Sequence, residues 1–229
     1  MRRILSAAAA LAAFAVAIVA GLPMIPDRWI PWAPLHLADE PNFLTAGKLR
    51  RLADRPAQCE LVLARSSFRS APVPDRVADD GCALVNTVRI SEGKVPFQGG
   101  IVVTCPLAVA LALWQRHSVA PAAGEILGEP VVAIDHLGSY ACRNVYGRET
   151  GRRSQHATAN AVDIAAFRTR SGRRVSVMDA WDDDGRDGRF LRAVHGGGCA
   201  IFGAVLGPEY NAAHRNHFHL DLGRFSACR

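Results

Sequence analysis

The chain has 229 residues, 49 % of them hydrophobic and 21 % charged, and carries a formal net charge of +6. That leaves room for one good-sized domain plus a tail, and the balance excludes a disordered or low-complexity chain. The positive charge is mostly arginine spread through "KLRRLADR", "RRSQH" and "RTRSGRR"; without a compact basic run or interleaved aromatics it reads as a solvated face, and nucleic acid is excluded as a partner.

In chain order, Arg2 and Arg3 precede an uncharged apolar run from Ile4 to Ile25. As a helix this run would span roughly 33 Å, enough to cross a bilayer, and the leading arginines place the remainder of the chain outside the cytoplasm. Val19, Ala20 and Gly21 offer small residues for a signal-peptide cleavage site, but the run is longer than the usual signal core, which favours a retained anchor in the cytoplasmic membrane over a soluble exported chain. Residues 1–26 therefore read as anchor or signal peptide. The segment 27–45, "DRWIPWAPLHLADEPNFLT", holds prolines at 31, 34 and 41 and tryptophans suited to a membrane interface, and reads as a tether.

The domain is expected over residues 46–229. "CELVLAR" (59–65) and "CALVNTVRI" (82–90) read as short strands, and "CPLAVALALWQRHSV" (105–119) as a buried helix with Pro106 in its first turn. "PVVAIDHLGSYACR" reads as a strand entering a second strand or turn. "AVDIAAF" and "NHFHLDL" read as strands, and "DGRFLRAVHGGG" as a short helix stopped by glycines. "DDDGRDG" (182–188) lacks the closing glutamate of a calcium loop, so a turn with helix-capping aspartates is expected. Irregularly mixed helices and strands indicate an α+β fold, here a small, mainly antiparallel sheet with flanking helices.

All six cysteines (59, 82, 105, 142, 199 and 228) lie beyond the apolar run, as expected of disulfides in an oxidising compartment. Six cysteines allow about 15 connectivities and the sequence selects none. The pairing expected here is Cys59 with Cys82, Cys105 with Cys142, and Cys199 with Cys228, the last pinning the C-terminus near a histidine cluster.

That cluster is "AHRNHFHLDLG", fifty-odd residues beyond "SQHATANAVDIAAF". If "NHFHLDL" is a strand, His217, His219 and Asp221 share one face while Phe218, Leu220 and Leu222 share the other. By the same alternation Asp163 points away from Val162 and Ile164. Two histidines and a carboxylate are a recurrent set for a zinc whose fourth position stays open, and His156, Asp163 and His219 are the candidate ligands. The small residues between His156 and Asp163 allow a sharp turn. A salt-bridged network without metal is the bland alternative.

These residues resemble a known family. Ser154, His156, Ala161 and Asp163 match the serine–histidine–alanine–aspartate pattern of the zinc peptidases that cut peptidoglycan, the D-alanyl-D-alanine carboxypeptidases and murein endopeptidases (LAS-type metallopeptidases), and His217-Phe-His219 resembles their second motif. More broadly, residues from about 45 to the C-terminus, including "TCPLAVALALW", "GSYACRN" and "GPEYNAAHRNHFHLDL", resemble bacterial extensin-like C-terminal domain proteins. Ala159 replaces the motif's glycine, and Asn216 stands where carboxypeptidases carry a glutamate. The spacing of His214, His217 and His219 is similar to the endopeptidase branch. The resemblance implies a metallopeptidase-like zinc cleft and a zinc-dependent amidohydrolase of peptidoglycan peptides, endopeptidase ahead of carboxypeptidase. His217, then His214, is the expected proton carrier, and Arg143 the expected binder of a carboxylate or oxyanion, with Tyr140 in the same cleft. A non-catalytic cell-wall binding module of the same fold is the alternative.

Overall fold

The computed structural model describes residues 25–78 and 80–229. Most of the expected membrane segment thus lies outside the described residues, and among those described no helix is long and apolar enough to cross a membrane. The fold is α+β, as the irregular order of elements indicates, but it holds two sheets rather than one.

Helices α1 (Thr45–Arg51) and α2 (Pro56–Leu63) come first, followed by a three-stranded antiparallel sheet of β1 (Arg69–Val73), β2 (Thr87–Glu92) and β3 (Ile101–Thr104). Helix α3 (Cys105–Trp114) starts directly from β3, capped by Thr104, whose hydroxyl accepts from the Leu107 N–H. Every α3 residue except Ala112 is buried, which explains why its apolar pattern runs all the way round. The helical path does not stop at residue 119: it continues through widened π-type turns at Gln115–Val119 and Ala123–Leu127, ending at Gly128 with φ of 75°.

The second sheet holds β4 (Val131–Gly138), β5 (Ala161–Thr169), β6 (Arg174–Ser176), β7 (Ala204–Leu206), β8 (Phe218–Asp221) and β9 (Ala227–Cys228). Its order is β4-β5-β8-β7-β9, with β6 also on β5, and only the β7–β9 pair is parallel. Between β6 and β7 the chain forms the helical turn α4 (Val177–Ala180) and helix α5 (Arg186–Gly198). The main core lies where α3 and α5 cover this sheet: Trp114 stacks near Phe167 at 5.8 Å, and Phe167 meets Phe190 edge-on at 5.1 Å. The Trp114 indole N–H donates to the Val194 carbonyl at 2.8 Å, so the largest buried side chain has no orphaned donor. Residues 27–44 run along this unit, with Leu35 buried in the core and the His117 ring 2.9 Å from the Leu37 carbonyl oxygen.

Several local expectations are corrected. "CELVLAR" is not a strand but lies largely in α2: Pro56 fits its first turn, and Cys59, Val62 and Leu63 form a buried i, i+3, i+4 stripe while Leu61 is exposed. In "CALVNTVRI" the strand begins only at Thr87, because Asn86 takes a left-handed φ of 51°. Of the second strand or turn expected after β4, the described residues show the turn, with no strand between Gly138 and the 3-10 turn at Val145–Gly147. The glycines of "AVHGGG" lie inside α5 rather than ending it; a Cβ on Gly197 would collide with Ser118, so glycine there lets α5 approach the π-turn segment. Asp183 closes the preceding turn by accepting from the Gly185 N–H, and the helix cap is Gly185 itself.

The disulfides join Cys59 to Cys105, Cys82 to Cys142 and Cys199 to Cys228. The first two differ from the pairing by nearest sequence neighbours. Helix α2 packs on α3, which puts Cys59 against Cys105, and Cys82 is carried to the loop after β4. Non-reducing digestion with mass analysis should recover these three links, and a Cys59–Cys82 peptide would refute the packing of α2 on α3. Replacing Cys59 and Cys105 together by serine should lower stability by about 2–4 kcal/mol, read from denaturant unfolding.

Candidate metal centre

The site is built on the β5–β8 pairing. Asp163 stands directly opposite His219, and Ala161 opposite Asp221. Successive side chains alternate, so Val162, Ile164, Phe218 and Leu220 enter the core while Asp163, His219 and Asp221 occupy the other face. The third group, His156, comes from a single 3-10 turn at Gln155–Thr158, just before β5. Ser154 caps that turn through its hydroxyl, which accepts from the His156 N–H, and Ala159 ends it with φ of 53°. A left-handed φ at a residue with a Cβ carries a cost of roughly 1–2 kcal/mol, which the surrounding hydrogen bonds offset. Thr104 ties the turn to the core, its N–H donating to the Ala159 carbonyl and its hydroxyl to Asn160 Oδ1.

Three ligand atoms converge. His156 Nε2 lies 3.2 Å from Asp163 Oδ1 and 3.1 Å from His219 Nδ1, and His219 Nδ1 lies 3.0 Å from Asp163 Oδ1. The far nitrogen of each histidine is already engaged by an oxygen. His156 Nδ1–H donates to the Ser139 carbonyl at 3.3 Å, and His219 Nε2–H donates to Asp221 Oδ2 at 3.0 Å. In the neutral tautomers these bonds select, the three inward atoms are all lone-pair acceptors with no proton among them. Such a cluster calls for a cation or a proton at its centre. Ligands about 2.0–2.1 Å from a tetrahedral zinc stand about 3.3 Å apart, so the donor set and its spacing fit that ion, and the outward acceptors are the partners that orient metal-binding imidazoles.

Without a metal, the surroundings of the cluster favour a proton on His219. Burial disfavours a charge on Asp163, but the imidazoles of His156 and His219 beside it outweigh that and hold the carboxyl well below the usual range. Burial likewise opposes protonation of His219, yet Asp163 and Asp221 raise its pKa to about 9. His214, desolvated and facing His217 and His219, is lowered to about 4. Burial also lowers His217, with Asp163 partly countering.

A cleft of about 470 Å³ opens over the cluster. His214, His217 and Arg143 all line it, as the sequence suggests. His217 lies just ahead of β8 rather than within it, with Nε2 3.6 Å from Asp163 Oδ1 and Nδ1–H donating to Asn216 Oδ1 at 2.8 Å. Nε2 is therefore the nitrogen that presents a lone pair. The same holds for His214, whose Nδ1–H donates to Asn211 Oδ1 at 2.8 Å. Tyr140 is displaced from the expected place: its hydroxyl donates to the Cys82 carbonyl at 3.2 Å and accepts from Arg76, away from the cleft lining. Tyr146 and Tyr210 line the cleft instead, with Arg152 and Arg153. Asn211 Nδ2 donates to the Tyr146 hydroxyl at 3.0 Å, and Tyr210 meets His214 edge-on at 5.4 Å. Sequence reasoning assigns none of these four a role. Asp221 has the only readable signal, its i+2 spacing from His219. Two other groups of potential ligands, around Cys199–Cys228 and Cys82–Cys142, have their sulfurs in disulfides.

An α+β domain stapled by three disulfides, with a two-histidine, one-carboxylate cluster under a cleft, is the class these observations define. The chain belongs to the family described as extensin-like protein C-terminus, whose model matches residues 57–229. No curated protein and no solved structure matches the chain.

The charge arrangement predicts a two-sided stability profile for the metal-free protein. His219 is raised from 6.5 to about 9, so its contribution is complete below about pH 6.5 and is lost as pH rises through about 9. His214 is lowered from 6.5 to about 4, so its environment favours the neutral form and stability falls as pH drops below about 6.5. Thermal melts of chelator-treated protein should peak between these limbs, and His219→Gln should flatten the alkaline limb; an unchanged alkaline limb in that variant would remove His219 as its cause.

Proposed function

We propose that the protein is a zinc-dependent amidohydrolase of peptidoglycan, cutting stem peptides or their cross-links outside the cytoplasmic membrane. The observation that carries this reading is the triangle of His156 Nε2, Asp163 Oδ1 and His219 Nδ1, all at 3.0–3.2 Å, at the base of an open cleft. A zinc ion held there would lend Lewis acidity to a substrate carbonyl and to the attacking water. Three disulfides support an oxidising, extracytoplasmic location, consistent with an N-terminal anchor or signal at residues 1–26.

The residues divide the work of hydrolysis. As the water oxygen bonds to the scissile carbonyl carbon, its proton passes to His217 Nε2, which burial keeps neutral at neutral pH. The proton then moves to the leaving nitrogen as the C–N bond breaks, giving an amine and a carboxylic acid, whose remaining proton passes to the amine to leave carboxylate and ammonium. His214, neutral for the same reason, is the second candidate for this transfer. Arg143, at the cleft wall, is placed to hold a carboxylate of the stem peptide or the developing oxyanion. Asn216 stands in the place of the carboxypeptidase glutamate, which favours an endopeptidase, and its Oδ1 accepts from His217 Nδ1–H.

One observation favours the non-catalytic, wall-binding reading: His217 Nε2 is only 3.6 Å from Asp163 Oδ1, close enough to serve as a fourth ligand and close the site. The two readings predict different variants. His156→Ala, Asp163→Ala and His219→Ala should each lower zinc content. His217→Ala should keep most of the zinc and reduce release of fragments from purified sacculi, identified by mass, by about 10²–10⁴. Chelation should abolish release and zinc restore it. Zinc lost with His217, or intact sacculi in the presence of folded, zinc-loaded wild-type protein, would favour the binding module.

A further inference from the structure

A second cavity, of about 460 Å³, lies between the π-type turns after α3 and the start of β4, and shares no residue with the cleft. Arg65, Lys94, Arg116 and Arg170 line it, and no aspartate or glutamate does. Among the described residues none of these four cations makes an ion pair. Their neighbours behave differently. Arg168 and Arg174 share Asp135, and Arg173 reaches Glu129 and Asp187, so arginines flanking Arg170 on the same hairpin are neutralised locally. Glu129, adjoining the lining residue Pro130, accepts from the backbone N–H and hydroxyl of Ser171 and pairs with Arg173.

The rest of the lining is mostly apolar, including Leu37, Val95, Val131 and Val132, with Ser66, Ser67 and Gln115 as its neutral polar members. Four like charges around one concave space repel each other, an arrangement a bound anion relieves. Their number exceeds what one carboxylate neutralises and suits a phosphate, for which arginine forks are the favoured donors. The apolar wall calls for a hydrocarbon portion beside that phosphate.

We propose that this cavity binds the phosphate headgroup of an anionic phospholipid, with the head of its acyl chains against Leu37 and Val132. Of the lining residues, Leu37 belongs to the segment 27–45 that follows the N-terminal apolar run. The inference stands independently of any hydrolytic activity.

The test uses the full chain in a non-ionic detergent, titrated calorimetrically with dihexanoyl phosphatidic acid, dihexanoyl phosphatidylcholine and glycerol phosphate. Saturable binding of the phosphatidic acid is expected, weakened about tenfold or more by Arg116→Ala with Arg170→Ala and again by Arg65→Ala with Lys94→Ala. The zwitterionic lipid should bind more weakly than the acid. Unchanged melting temperatures and zinc content would show that the variants fold. Equal affinity for glycerol phosphate would overturn the lipid assignment in favour of a free phosphate ester. Absence of saturable binding, or binding unmoved by the four substitutions, would overturn the site.

Discussion

The antiparallel register between β5 and β8 is the constraint on which the site rests. It sets Asp163 against His219 on one face and Ile164 against Phe218 on the other. A slip of one residue would turn the carboxylate and imidazole into the core and the aromatic out of it, so burial of Phe218 and Ile164, both fully inaccessible, enforces the polar pairing. The energy that aligns the donors thus comes from the apolar face of the same two strands. A loop-borne site would lack that reinforcement.

His156 is fixed by different means, since its turn has no sheet partner. Its ring is held at Nδ1 by the Ser139 carbonyl, while its backbone carbonyl accepts from Ala141 and Ala159. The left-handed Ala159 then returns the chain to β3 and α3 through Thr104. A buried helix therefore braces the one ligand that the strands do not position. The Cys82–Cys142 link anchors the loop that leaves β4 and carries the His156 acceptor, the Ser139 carbonyl.

Periodicity accounts for most of what is legible in the sequence. Alternation in "AVDIAAF" and "NHFHLDL" reveals both strands, their two faces and two of the three donors, Asp163 and His219, and the continuous apolar run at 105–114 reveals α3. Short apolar runs are ambiguous: "CELVLAR" suits a strand until Pro56 and the exposure of Leu61 are taken together. Disulfide partners depend on which helices pack, and the 46- and 60-residue separations observed have no local signature. Tyr146, Tyr210 and the Ser139 carbonyl reach the site from separate loops, and a backbone acceptor leaves no mark on residue identity.

The central claim is that His156, Asp163 and His219 hold zinc through two imidazole nitrogens and one carboxylate oxygen. X-ray absorption at the zinc edge, on full-length protein purified from zinc-supplied cells, reads that ligand set directly. The account predicts a first shell of nitrogen and oxygen at about 2.0–2.2 Å with outer-shell scattering from two imidazoles. Protein that carries no zinc, or a first shell containing sulfur or three imidazoles, would contradict it.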